Sequence, residues 1–239
     1  MQHAGRLMAS AEELVQTMHL VFGLDTCGSE ATLVLARCEV ETLAIVRAAT
    51  LGPRMAAAGI VTALEEVLGG ISPRALQAIV VVRGPGSFTG MRIGLSCVKA
   101  FAAATGVPII GVSRLAVLAH SSQAAWAALD ANRGHVYLRD SVTDREQMLT
   151  LDEARAQVPQ ESWHQVAVCE PKTAHVFAEP SSLIEGADER GLRPVPDAVA
   201  AVRFALPRVA AENWDDPETL DALYLWREEQ MFAKPAAHA

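Results

Sequence analysis

Between Val67 and Leu129 there is no Asp or Glu, although the 239-residue chain carries a formal charge of −8. The same stretch holds five cations, Arg74, Arg83, Arg92, Lys99 and Arg114, so the acidity is gathered elsewhere. Burial accounts for the lack of charge at most of these positions. Arg83, Arg92 and Lys99 surround a glycine-rich loop, and for them contact with an acidic partner or an anion stays open. Also absent is any uninterrupted run of about 18 apolar residues, so the sequence offers no membrane-spanning helix. Glu12 and Glu13 break the stretch where a signal peptide would be apolar, and residues 1–17 read as an extension ahead of a start at Met18. The four cysteines, Cys27, Cys38, Cys97 and Cys169, are scattered and include no C-x-x-C pair. That excludes a disulfide framework and suits a reducing, cytoplasmic setting. None of the seven histidines forms an H-E-x-x-H motif or an i, i+4 pair, so no metal site is expected.

What is present is an α/β pattern. Leu20–Asp25 reads as a buried strand, with Ala31–Arg37 and Thr42–Arg47 as two more joined by short connections, an antiparallel meander. A helix over Arg54–Leu68 follows, with Pro53 at its start and Gly69-Gly70 at its end. Ala78–Val82 then reads as a strand, Met91–Thr105 as a helix closed by Gly106, Val107–Ser113 as a strand and Arg114–Gln123 as a helix. Three strands followed by helix, strand, helix, strand with right-handed crossovers matches the ribonuclease-H-like core of actin and the sugar kinases. Two strand-like runs flank Asp130–Gly134 and open a second unit. Seven of the twelve prolines lie between Pro159 and Pro217, so that region reads as loop-rich. The run from Pro217 has helical spacing at Leu220, Leu223 and Trp226, with a short strand as the other reading. The expected organisation is a first subdomain over residues 18–115, completed by an element at 217–232, and a second over 116–216.

The loop "RGPGSFTG" invites phosphate-binding readings, and each meets a missing residue. A Walker loop from Gly84 or Gly86 places Gly90 or Arg92 where lysine is required. The dinucleotide fingerprint fits Gly84 and Gly86 but finds Thr89 at the third position and no acid before Asp130. A nucleophile elbow at Ser87 would need glycines where Pro85 and Thr89 stand. Two readings of the loop survive. Gly84 and Gly86 can supply unusual backbone angles while Ser87 or Thr89 caps the helix, or backbone amides from Gly84 to Gly90 can hold an anion at its start. Asp25, at the end of the first strand, could likewise face phosphates and a metal or simply stabilise its turn.

The two helices carry another signal. Arg92, Ser96 and Lys99 form one narrow polar stripe on a helix otherwise almost wholly apolar, which indicates burial on more than one side. The preceding helix offers Ala56, Ala57, Ala58, Gly59 and Ala63, small residues that admit a close neighbour. With little covering material before residue 114, the pair reads as an interface built from Ala57, Ile60, Val61, Leu64, Arg92, Leu95, Ser96 and Lys99. Two internal helices over one sheet is the competing reading.

"FGLDT", "RGPGSFTGMRIG" at 83–94, "VPIIGVS" at 107–113 and "LDANRGHVY" at 129–137 occur in order, and together they resemble the bacterial TsaB (YeaZ) family of tRNA threonylcarbamoyladenosine biosynthesis proteins. The resemblance covers residues 18–138. It implies an actin-like (ASKHA) fold of two subdomains, each a mixed sheet with flanking helices. It further implies a non-catalytic subunit, without cofactor, of the complex that transfers threonylcarbamoyl to the adenosine beside the tRNA anticodon. The implied partners are a TsaD-type catalytic paralogue docked on the two helices, a TsaE-type ATPase, tRNA through the complex, and a second copy when isolated. Asn132, His135 and Trp226 stand where the family commonly has other residues. An ATP-binding enzyme using Asp25 and the Gly84–Gly90 loop remains the alternative, with a glycopeptidase-like hydrolase behind it.

Overall fold

The computed structural model describes residues 19–39, 42–177 and 192–225. Its first sheet contains β1 (His19–Asp25), β2 (Ala31–Cys38), β3 (Leu43–Leu51), β4 (Leu76–Val82) and β5 (Ile109–Val112). Their order is β3-β2-β1-β4-β5, with β1–β2 and β2–β3 antiparallel and β1–β4 and β4–β5 parallel. β1 and β4 are near-continuous apolar runs because helices cover both faces of the sheet. On one face Phe22, Leu24, Leu33, Ile79 and Val81 pack against α1 (Ala56–Leu68) and α2 (Phe88–Thr105). On the other, Val21, Val34, Ala78 and Val80 pack against α6 (Ala198–Ala210). Gly23 lets α6 approach closely, since a methyl there would lie 2.5 Å from Val202 Cγ2.

The second sheet contains β6 (Trp126–Asn132), β7 (His135–Asp140), β8 (Arg145–Thr150) and β9 (Val166–Val168), in the order β8-β7-β6-β9. Its first strand pairs antiparallel with the second and parallel with the fourth, repeating the arrangement of β1, β2 and β4. One face packs on α3 (Arg114–Ser121) through Leu115 and Leu118. The other packs on α4 (Leu151–Gln157) and α5 (Pro171–Phe177) through Ala154, Val176 and Phe177.

Several expectations need correction. α2 begins at Phe88 and not Met91, because the Ser87 side chain accepts from Gly90 N at 3.1 Å and starts the helix a turn earlier. α1 begins at Ala56 because Arg54 has φ 65°, outside the helical region. The region read as loop-rich, 159–217, contains β9, α5 and α6. Of these, α6 covers the face of the first sheet opposite α1 and α2. Residues 217–225 form neither the helix nor the strand considered for them; they run along the first sheet, Leu220 buried and Leu223 N donating to Arg83 O at 2.8 Å. Residues 226–232 of that element, and the 1–17 extension, lie outside the described residues. No helix among the described residues is long and apolar enough to cross a membrane.

Candidate functional site

Two turns face each other across a cleft of about 1330 Å³. The first leaves β1 at Asp25. Its Oδ1 accepts from Cys27 N at 2.7 Å, an Asx turn, and Oδ2 lies 3.7 Å from Arg114 Nε. Asp25 and Arg114 are both buried. Burial pushes the Asp25 carboxyl above the usual carboxylate range, and Arg114 with the Cys27 amide offsets part of that rise. Burial likewise holds the Cys27 thiol well above its ordinary value and lifts Cys169 to about 12, so neither is a thiolate nucleophile near neutral pH.

The glycine loop packs directly on this turn. A methyl at Gly86 would lie 2.3 Å from Cys27 O, and one at Gly90 would lie 1.9 Å from Thr26 O. The Thr26 hydroxyl donates to Gly90 O at 2.7 Å, and Ser87 N donates to Cys27 O at 2.8 Å. Gly90 and Gly86 therefore let the first turn of α2 press against the backbone of the β1–β2 turn. The amides of Ser87 and Gly90 already have acceptors within the protein.

The second turn leaves β6 at Asp130, whose Oδ1 accepts from Asn132 N at 2.7 Å. Glu170, just ahead of α5, accepts from Asp130 N at 2.6 Å, and burial raises its carboxyl above the ordinary value. Arg133, Tyr137 and Glu170 line this side of the cleft, and Phe88, Arg92 and Tyr224 line the other. Arg92 stacks 3.9 Å above the Phe88 ring and donates from Nε to the Tyr224 hydroxyl at 3.0 Å.

Of the candidate anion-facing residues, Gly86 and Ser87 line the cleft, whereas Asp25, Gly84, Thr89 and Gly90 lie beside or behind it. Of the candidate interface residues, Ala57, Val61, Arg92 and Ser96 are exposed and Lys99 is partly so. Ile60, Leu64 and Leu95 are turned into the core against the first sheet, correcting their placement on an outer face. Sequence reasoning missed Arg114 and Glu170 as cleft groups. The available signal was a lone arginine opening the apolar helix "RLAVLAHS", where a charge must have a partner. Among the described residues no group of three or more His, Cys, Asp or Glu comes together as a metal site.

Two sheets of matching topology, each ending its first strand in an Asp-led turn at a shared cleft, define an actin-like, ASKHA-type α/β protein. The family model for TsaD, tRNA N6-adenosine threonylcarbamoyltransferase, matches residues 57–172. The Escherichia coli tRNA threonylcarbamoyladenosine biosynthesis protein TsaB is 33% identical over 124 residues, covering 47% of this chain and 52% of that one. An uncharacterized protein of Mycobacterium tuberculosis is 34% identical over 164 residues, 68% of each chain. A crystal structure from Pseudomonas aeruginosa, of an uncharacterized protein with similarity to peptidase YeaZ, superposes with a TM-score of 0.68 at 22% identity, covering 87% of this chain and all of that one. The chain spans about half or less of the length of the curated TsaB proteins it matches. It belongs to the TsaB/YeaZ family.

Proposed function

We propose that the protein is a non-catalytic supporting subunit in the transfer of threonylcarbamoyl to the adenosine beside the tRNA anticodon. In this reading it docks a TsaD-type paralogue on the outer face of α1 and α2. The observation that carries the docking surface is the contrast between the two sides of those helices. Their inner side is filled by Ile60, Leu64, Leu95 and Val98, while Ala57, Ala58, Val61, Ser96 and Ala100 are left at the surface. Val61 is 61% exposed and the adjoining Met55 53%. Small exposed side chains on two packed helices let the helices of another chain approach closely, and the exposed valine supplies an apolar anchor. Family membership supports the reaction, and the match to a threonylcarbamoyltransferase model supports a partner built on the same fold.

The wider assembly in this reading includes a TsaE-type ATPase, with tRNA reached through the complex in the cytoplasm and self-association through the same helices when the partner is absent. In this reading residues 18–115, completed by α6 on the other face of the first sheet, form the docking subdomain, and the second sheet with α3, α4 and α5 forms the other. Two measurements test the proposal. Expression of this chain in a strain lacking its own TsaB should restore threonylcarbamoyladenosine in tRNA. Val61→Glu should weaken co-elution with a TsaD-type protein by about tenfold or more with little change in Tm, since Val61 makes little use of its own core. Undiminished co-elution would remove the docking surface from α1, and a lack of restored modification would remove the function.

A further inference from the structure

We propose that the chain ahead of β1, residues 6–15, docks as an amphipathic helix on the open face of β3, beside α6. β3 is the outermost strand of the first sheet. Its pairing with β2 fixes which side chains share a face. Leu43, Ile45 and Ala48 lie opposite Cys38, Ala36 and Val34, which belong to the core under α6. α6 itself lies over β1, β2 and β4. Leu43 is half-buried at the rim of that core, whereas Ile45 is 55% exposed and Ala48 and Thr50 are exposed. The flank of α6 that looks toward β3 follows from its other contacts. Phe204 meets His120 of α3 edge-on, and α3 follows β5 at the far edge of the sheet. Val199 and the exposed Arg203, on the opposite flank of the helix, therefore turn toward β3. The result is an apolar shelf with a cation on its rim.

The sequence ahead of β1 fits this shelf in pattern, charge and reach. Leu7, Met8, Ala11, Leu14 and Val15 fall on one stripe at helical spacing, with Arg6, Ser10 and Glu13 on the other side. A stripe of that width calls for an apolar surface to cover it. Glu12, one helical turn after Met8, borders the stripe with a charge opposite to that of Arg203. The connection is short. His19 pairs with Cys38 and Cys38 with Leu43, so the segment joins the sheet at the end where Leu43 and Ile45 lie. Two strand spacings separate His19 from Leu43, about 10 Å. The four residue steps from Val15 to His19 reach about 13 Å when extended. The chain beyond Leu225 starts at the other side of the sheet, where Leu223 N donates to Arg83 O just past β4, so the N-terminal segment is the near one.

The test is thiol labelling of the full chain with iodoacetamide, resolved by peptide mass spectrometry. Ile45→Cys places a reporter on the shelf. Val142→Cys, at a position 86% exposed between β7 and β8, is the control. Each is labelled with and without Leu14→Asp, which puts a charge into the apolar stripe. Docking requires that Leu14→Asp speed labelling at residue 45 by about tenfold or more and leave residue 142 unchanged. The buried native thiols of Cys27 and Cys169 stay slow in all four chains if the fold is intact. Equal rates at residue 45 with and without Leu14→Asp overturn the proposal. So does a rise shared by Cys27 and Cys169, which marks general unfolding. Labelling at residue 45 that slows as protein concentration rises also overturns it, because a second copy is then the occupant. The shelf lies on the face of the first sheet opposite α1 and α2, so a failure of partner docking on those helices leaves this inference standing.

Discussion

Asp25 and Asp130 occupy equivalent places in the two halves of the molecule and have different surroundings. Each follows a leucine, Asp25 at the end of β1 and Asp130 two residues before the end of β6, and each accepts a hydrogen bond from the amide two residues ahead at 2.7 Å. Around Asp25, the glycine loop presses against the turn backbone and Arg114 closes the space behind it. Around Asp130 the turn stands open, with its side chain partly exposed and Lys172 the nearest cation at 3.9 Å. The same local device thus becomes a packed support in one half and a solvent-facing turn in the other. Local sequence chooses the turn, and the tertiary neighbours choose its energetic weight.

The sharpest way to break this contrast is a methyl group in each half. Gly90→Ala places Cβ 1.9 Å from the Thr26 carbonyl oxygen, a backbone atom that cannot rotate away. It should cost about 3 kcal/mol or more in urea unfolding, at the upper end of overpacking effects. Gly134→Ala meets nothing within 4 Å, and its cost arises only from φ 77°, so about 1 kcal/mol is expected. Similar losses at the two positions would mean that the first turn relaxes freely and that the packing distinction is wrong.

Removal of the two carboxylates should follow the same order at smaller contrast. Asp25→Ala deletes the turn acceptor and removes the carboxylate 3.7 Å from the buried Arg114 Nε, for an expected loss of about 3 kcal/mol. Asp130→Ala deletes one hydrogen bond at an open turn and should cost about 1 kcal/mol. Thermal unfolding of both variants in one buffer gives the comparison, and equal Tm shifts would contradict it.

How much of this was legible in the sequence follows the range of the interactions involved. The meander, the helices over α1 and α2 and the crossover strands were readable because each rests on local periodicity and nearby caps. α6 was not: its amphipathic run sits between Pro196 and Pro217 with Pro207 inside it, and its role depends on strands more than 100 residues away. The repeat of sheet topology was hidden because the halves share little beyond a Leu-Asp pair at the turn. Helical spacing showed that α1 and α2 each have a buried face but not what buries it. Ile60, Leu64 and Leu95 were accordingly assigned to a partner when their own sheet covers them. At the cleft, the glycine loop drew attention by its composition, while Arg114 looked like one more cation in a basic stretch.

The smallest expected effect concerns the carboxylate that holds the second turn. Glu170 supports the Asp130 amide much as Arg114 stands behind Asp25, but with charge of the opposite sign. Burial raises its pKa in the folded protein, with the Asp130 amide working against that rise. A raised pKa means that the folded state takes up the proton more readily than the unfolded chain. Glu170 therefore supports the fold below its unfolded value and loses that support as pH rises through the folded value. Glu170→Gln has no such titration and retains an acceptor for the Asp130 amide. Its Tm relative to wild type should climb as pH rises from the ordinary carboxylate range toward neutrality. Asp25 titrates in the same direction but is present in both proteins, so its contribution cancels in the difference. A relative Tm that falls over this window would show that the Asp130 amide, favouring the charged carboxylate, outweighs burial at the second turn.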